Sequence, residues 1–490
     1  MKKFYNSRAD NRIIDQTKRI NENGTGLVVK SATWYTISSM LIKSVSLITA
    51  PIFTRLLSTA DYGVVSNFST WVLIADCFTG LGLAYAVARG KIEFSEEYPQ
   101  YISSIQTLSL ISTGIWVFGA ILFSRQIAEL MEISRILVVI MFIYLVSYPS
   151  IGFAQTNYRF EYKYKRNILI SVINTLANVV FSIGLILVFN DQRYIGRILG
   201  MILPILIMGS YFCIRILRKG RCYVEKKYWK YALKISIPMI PHGLAMIVLA
   251  QIDRVMIIKL CGDSEAGIYS FGYSYAIVIS MLTNAINDAL QPTIYQNIKA
   301  GNEKKINNMT HCVCIGVTFV AFAIAMVGPE AIKILGTRDY YNAVWVICPV
   351  VFGAVFQLMY QNYSLVEMYY KKTIIIAIGS IIAAFINIVF NYIFIMQYGY
   401  LAAGWTTLLG YVFLMIFHFV GAMIVGKKRI FSLRNLVFES VLCGTLLSVS
   451  VFSYSMSLKV RFIIFIFVIL MVLLRYKDVI KVYLQRKERI

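Results

Sequence analysis

The sequence predicts an all-α, polytopic membrane protein with about fourteen transmembrane helices, and three observations carry that prediction. Of its 490 residues 58% are hydrophobic, with a mean hydropathy of +0.67, which leaves too little polar surface to cover a soluble core of that size. Apolar runs near twenty residues recur along almost the whole chain, the length that crosses a hydrocarbon layer of about 30 Å. Between those runs the basic residues gather in alternate connections, the pattern of helices oriented by the positive-inside rule.

Taken in order, residues 1–30 are polar and charged, with no apolar stretch before Val28, and read as a tail with no cleaved signal segment. Spans follow at 31–54, 64–87, 101–124, 136–156, 168–189, 195–214, 235–258, 268–292, 310–332, 342–366, 373–396, 401–424, 436–454 and 461–475, and a second tail at 476–490. Pro238 and Pro241 near the start of the seventh span predict a kink or a broken first turn. The connections are short, so no sizeable extramembrane domain is expected.

The formal net charge of +24 suggests nucleic acid at first sight. Its distribution points elsewhere: 36 of the 48 Lys and Arg fall on the side holding both termini and 10 on the other, with Lys43 and Arg254 left inside spans. That asymmetry puts both termini in the cytoplasm, facing anionic headgroups rather than nucleic acid. The loops 157–167 and 215–234 mix these cations with Tyr and Trp. Interface anchoring explains the mixture, and a platform for an anionic lipid headgroup is the sharper alternative. The eight cysteines are scattered without metal-site or redox spacing and read as small buried hydrophobes.

An internal repeat emerges once the spans are numbered. Arg55, Leu56, Gly63 and Ser66 meet Lys259, Leu260, Gly267 and Ser270 at an offset of 204. Gln155, Glu161, Tyr164, Lys165 and Arg166 meet Gln361, Glu367, Tyr370, Lys371 and Lys372 at an offset of 206. The two nearly equal offsets predict two pseudo-symmetric six-helix bundles of the same orientation, 31–218 and 235–424, with the helices of 436–475 as an addition.

Charged side chains at mid-membrane identify the candidate site. Lys43, Asp76, Asp253 and Arg254 together would cost roughly 10 kcal/mol facing lipid, so they face a wet cavity or one another. Buried pairing that fixes helix register, for instance Lys43 with Asp76, is one reading; lining a central cavity is the other. His242 and Asp253 are eleven residues apart, close to three helical turns, and so share a face. They could relay a coupling proton, or His242 could cap backbone freed by Pro238. Asn174 with Asn178, and Asn387 with Asn391, are i, i+4 pairs in the fifth and eleventh spans. They serve either as interhelical glue or as hydrogen-bonding groups for a sugar or pyrophosphate.

No P-loop, H-E-x-x-H or G-x-S-x-G motif occurs, so neither a nucleotide-driven pump nor a hydrolase is indicated. The segment T-R-L-L-S-T-A-D-Y-G from Thr54 to Gly63, and Asp253-Arg254 followed by Gly267-Ile268-Tyr269, resemble the Wzx-type polysaccharide flippases of the multidrug/oligosaccharidyl-lipid/polysaccharide (MOP) exporter superfamily, over roughly 31–425.

The resemblance implies two six-helix bundles opening alternately to each side of a bacterial plasma (inner) membrane. It implies export of an oligosaccharide repeat unit on undecaprenyl pyrophosphate for O-antigen, capsule or exopolysaccharide. Lys43 and Arg254 would hold phosphate in a cationic cavity, the asparagines would contact sugar, and Asp76, His242 and Asp253 would serve coupling or counter-charge. No cofactor and no metal is expected; the candidate partners are membrane lipids, a proton or sodium ion, and a polysaccharide polymerase with its chain-length machinery. A drug or cation antiporter and a peptidoglycan-precursor flippase of the same fold are the alternatives. A membrane polymerase or ligase would need a longer outer loop than any found here.

Overall fold

The computed structural model describes residues 48–161, 163–426 and 430–468, together with 45 and 470. Every regular element among the described residues is helical. The chain runs through α1 (48–56), α2 (Thr59–Thr79), α3 (Leu83–Glu93), α4 (Tyr98–Leu122), α5 (Ser124–Met131), α6 (Arg135–Phe160), α7 (Tyr164–Val188) and α8 (Arg193–Gly220). It continues through α9 (Lys226–Ser236), α10 (Ile240–Leu260), α11 (Asp263–Lys299), α12 (Glu303–Leu335) and α13 (Val344–Tyr369). The last helices are α14 (Thr373–Tyr398), α15 (Ala402–Gly426), α16 (Leu433–Ser453) and α17 (458–468).

Among the described residues 11 helical segments are long and apolar enough to cross a membrane, or 12 when the bent pair α2–α3 counts as one span. These match the predicted spans from 64–87 to 436–454 one for one; the first predicted span lies largely outside the described residues and the last in part. The protein is a multi-pass membrane protein, with twelve of the fourteen predicted spans matched among the described residues when α2–α3 counts as one.

Three details differ from expectation. The span predicted as continuous over 64–87 is two helices bent by 48°. The break falls at Gly80-Leu81-Gly82, where Leu81 and Gly82 take φ of 48° and 59°, a left-handed step that ends an α-helix. The seventh span breaks as its prolines foretell, with a single 3-10 turn at Ile237–Met239 between α9 and α10. Finally, α11 has 37 residues and α12 has 33, longer than hydropathy alone outlines. Their ends are polar: Asp263 and Glu265 in the first turn of α11 and Lys299 in its last suit the helix dipole outside the hydrocarbon.

The chain divides into two compact units, one of residues 1–57 and 64–248, the other of 58–63 and 249–490. In the first unit α8 is the hub, packing on α4, α6 and α7. Its core joins Phe68, Met141, Leu145 and Ile198, and a second cluster joins Leu83, Tyr101, Ile105 and Ala232. In the second unit α13 is the hub, packing on α11, α12 and α15; Val351, Val355, Leu358 and Met359 are all fully buried, as befits a helix apolar on every face. The outer faces of α7 and α14 leave Leu176, Val180, Ile374 and Phe385 exposed, which suits lipid and not water. Of the eight cysteines expected to be buried, Cys314, Cys348 and Cys443 are, whereas Cys77, Cys213, Cys222 and Cys261 are half-buried and Cys312 is exposed.

Candidate functional site

Both helix interruptions of the first unit face one cavity. A Cβ on Gly82 would lie 3.3 Å from the Ser236 carbonyl oxygen and 3.4 Å from Ile240, so the α2–α3 break rests against the α9–α10 break. Non-helical backbone at membrane depth is tolerated where it lines a water-filled space, and here it lines a cavity of about 720 Å³. One wall carries Asp76, Cys77 and Tyr85; a second, from α6, carries Tyr148 and Gln155; α7 supplies Ser171, Asn174 and Thr175, and α10 supplies His242. Leu83, Ile151, Phe153, Ile170, Ile205 and Met246 make the rest apolar.

Within this lining Gln155 donates to Ser171 Oγ at 2.8 Å. Asn174 Oδ1 and His242 Nδ1 are buried without a hydrogen-bond partner, the condition of groups that a polar ligand would complete. Asp76 has no ion-pair partner among the described residues. Three expected site residues, Asp76, Asn174 and His242, thus share one wall system. The lining holds no Lys or Arg among the described residues, and Lys43 lies outside them.

The fifth-span asparagine pair separates in role. Asn178, one turn beyond Asn174, accepts a 2.7 Å hydrogen bond from Arg197 Nη1. The same guanidinium donates to Ser182 Oγ and lies 4.0 Å over the Phe53 ring. Arg197 falls inside the predicted span 195–214 and belongs to α8; its pairing with Asn178 one helix away is a tertiary contact that hydropathy does not reveal.

Asp253 and Arg254 form a closed cluster in the second unit. Arg254 Nη1 is 3.1 Å from Asp253 Oδ1 and donates to the Ala250 carbonyl at 3.1 Å. Tyr269 donates its hydroxyl to the other carboxylate oxygen, and the guanidinium sits 4.3 Å over Tyr273. The exposures of Asp253 and Arg254 are 1% and 6%, so the neighbouring pair neutralises itself away from lipid. Tyr269 is part of the D-R…G-x-Y stretch quoted above, which gives that motif a physical content: its tyrosine holds its aspartate.

Asn387 and Asn391 are fully buried. Asn391 donates to Asn387 at 3.2 Å, Asn387 donates to Thr407 at 3.3 Å, and Thr406 donates to Asn391. The amides tie α14 to α15, the glue reading, and leave no face for a sugar.

A buried His–carboxylate pair does exist, at a place sequence analysis passed over. His418 Nδ1 lies 2.9 Å from Glu367 Oε2, both side chains fully buried. Glu367 Oε1 and His418 Nε2 have no partner. A second pair, His311 with Glu439 at 2.6 Å, joins α12 to α16. Glu367 falls just past the predicted span 342–366; α13 runs on through it, and packing against α15 buries it. Asp253, by contrast, gives its oxygens to Arg254 and Tyr269.

Fold, helix breaks and apolar spans define a polytopic membrane protein. The structural relatives agree. The lipid II flippase MurJ in an inward closed conformation superposes with a TM-score of 0.67 at 15% identity, covering 91% of this chain and 99% of that one. A MATE-family multidrug transporter of the MOP superfamily, inward-facing, gives 0.63 at 15%, covering 80% and 94%. A Pyrococcus furiosus MOP transporter described as having a binding pocket of reversed polarity gives 0.56 at 16%, covering 82% and 95%. At these identities the likeness is one of fold. In sequence, the family described as polysaccharide biosynthesis protein matches residues 28–298, and MatE matches 238–393. The first match covers more than half of the chain, which therefore belongs to the polysaccharide biosynthesis protein family. It is similar to the Lsg locus putative protein 1 of Haemophilus influenzae, 24% identical over 289 residues, 56% of this chain and 67% of that protein. An uncharacterized membrane protein of the same organism is 23% identical over 283 residues, with the same coverage. The family is thus that of polysaccharide biosynthesis proteins, and the fold is the one shared by these transporters.

Proposed function

We propose that this protein moves oligosaccharide repeat units, carried on undecaprenyl pyrophosphate, from the inner to the outer leaflet of a bacterial plasma membrane. The observation that carries the reading is the first-unit cavity: apolar walls, two helix breaks, and unpartnered polar atoms on Asn174 and His242. Such a surface accepts sugar hydroxyls by hydrogen bonding and tolerates a lipid stem beside them. The family match to polysaccharide biosynthesis proteins supports a glycan as the cargo.

In this mechanism Asn174, Gln155 and His242 contact sugar, Lys43 meets the pyrophosphate, and Asp76 is counter-charge to Lys43 or the site of a coupling proton or sodium ion. Asp253 and Arg254 act as a mutually neutralised pair that holds α10 to α11. The two homologous six-helix halves expose the site alternately to each leaflet, with both termini in the cytoplasm and the polymerase and chain-length machinery receiving the product outside.

The test is a deletion strain complemented with wild type, Asp76→Asn or Lys43→Ala, with surface glycan and lipid-linked intermediates measured in each. Loss of surface glycan with repeat units retained on the inner leaflet, rescued by wild type and not by either variant, is expected. Unchanged glycan together with new sensitivity to cationic drugs would overturn the reading in favour of a drug antiporter.

A further inference from the structure

A second, smaller pocket lies in the first unit, at the ends of α3, α4, α6 and α8 that meet the basic segments 157–167 and 215–234. Its volume is about 130 Å³, the liquid share of about four water molecules, so it admits one compact group and no sugar chain. Two helical stripes build it. Ala154, Asn157, Tyr158 and Glu161 follow one face of α6 and its cap, and Phe212, Arg215, Ile216 and Lys219 follow one face of α8. Close packing fixes α8 here, since a Cβ on Gly220 would lie 2.8 Å from the Pro99 carbonyl carbon.

The charges are unbalanced. Lys91, Lys163, Arg166, Arg215 and Lys219 line the pocket against the single carboxylate of Glu161. Glu161 engages two of them, Lys163 at 2.7 Å and Lys91 at 3.7 Å. Lys91 also donates to Asn157 Oδ1 at 3.1 Å and lies 4.1 Å over the Tyr98 ring. Tyr98 is the second, independent sign of a ligand. Its side chain is only 3% exposed, it lines the same pocket, and its buried hydroxyl has no hydrogen-bond partner. A buried phenol costs free energy unless an acceptor meets it, and an acceptor among surplus cations is an anion with several oxygens.

We propose that this pocket binds the phosphate headgroup of an anionic phospholipid on the cytoplasmic side. Tyr98 donates to a phosphate oxygen, Lys219, Arg215 and Arg166 supply charge, and Ile102, Ile216 and Phe212 receive the first methylenes of the acyl stem. Lys91 and Lys163 stay with Glu161. The size of the pocket favours a phosphodiester headgroup over the glycosylated pyrophosphate of the cargo, and the basic side of the chain is where anionic lipid is recognised.

The experiment is native mass spectrometry of the purified full chain in detergent, titrated with phosphatidylglycerol, phosphatidylcholine, undecaprenyl phosphate or inorganic phosphate. Retention of one phosphatidylglycerol per chain, in preference to phosphatidylcholine, is expected. Removing two cations in Arg166→Gln/Lys219→Gln weakens that binding about thirtyfold. Tyr98→Phe, which keeps the shape of the core, weakens it about fivefold with an unchanged melting temperature. Equal binding of the two phospholipids, or undiminished binding by both variants, would overturn the proposal. Displacement of phosphatidylglycerol by millimolar inorganic phosphate would reassign the pocket to a free anion. Displacement by equimolar undecaprenyl phosphate would reassign it to the carrier lipid.

Discussion

Gly267→Ala tests whether the second unit depends on the close crossing at which two repeat-equivalent glycines meet. In the wild-type structure the first turns of α2 and α11 touch through backbone, and Thr59 Oγ1 and Ser264 Oγ share a 2.7 Å hydrogen bond. A Cβ on Gly267 would overlap the Thr59 carbonyl oxygen and lie 2.8 Å from its carbon and 3.0 Å from the Gly63 nitrogen. Ordinary carbon contacts begin at about 3.5 Å, and the opposing atoms are backbone, so no rotamer change relieves the overlap. The helices must separate by about 1 Å, which carries an overpacking cost of about 1–3 kcal/mol. That movement also stretches the Thr59–Ser264 bond, worth about 1 kcal/mol. The expected loss is therefore about 2–4 kcal/mol. Reversible unfolding in mixed micelles, followed by tryptophan fluorescence, measures it. Gly63→Ala should behave alike, its Cβ lying 2.8 Å from the Asp263 carbonyl carbon, and Ser264→Ala should cost only the hydrogen bond. A Gly267→Ala protein within about 0.5 kcal/mol of wild type, the range of an ordinary surface change, would refute the reasoning.

Three further outcomes follow from the buried polar groups. Glu367→Ala and His418→Ala should each cost about 3–5 kcal/mol, because each leaves a fully buried polar partner alone; a double-mutant cycle by thermal unfolding should show coupling above about 1 kcal/mol. Arg197→Ala should cost about 2–3 kcal/mol by losing its charged hydrogen bonds to Asn178 and Ser182, and additive behaviour with Asn178→Ala would argue against the bond. At Glu161 burial raises the carboxyl, but the hydrogen bond and charge of Lys163 and the charge of Lys91 outweigh it and hold it below the usual carboxylate range. A carboxyl lowered by folding stabilises the folded state above its unfolded value and loses that contribution as pH falls through its folded one. Acid melting below about pH 4 should therefore be shallower in Glu161→Gln than in wild type, modestly so because the group is partly exposed.

What the sequence determined by itself is whatever depends on local chemistry repeated along the chain. Twenty-residue apolar runs can only be helices in lipid, because every backbone group must be satisfied within its own segment, and that sufficed for the spans from 64–87 to 436–454 and for the break at Pro238. What only the tertiary structure decided is which polar groups meet. Asn174 and Asn178 have the same sequence signature, yet one ends in a cavity wall and the other on Arg197, because Arg197 lies on a different helix. Glu367 looked like the end of a span and is fully buried against His418, fifty-one residues away. Leu81 and Gly82 are unremarkable in an apolar run, and the left-handed turn they make opens the cavity beside Asp76. Hydropathy measures the medium around a helix; hydrogen bonds and charges are settled by neighbours distant in sequence, and only packing chooses them.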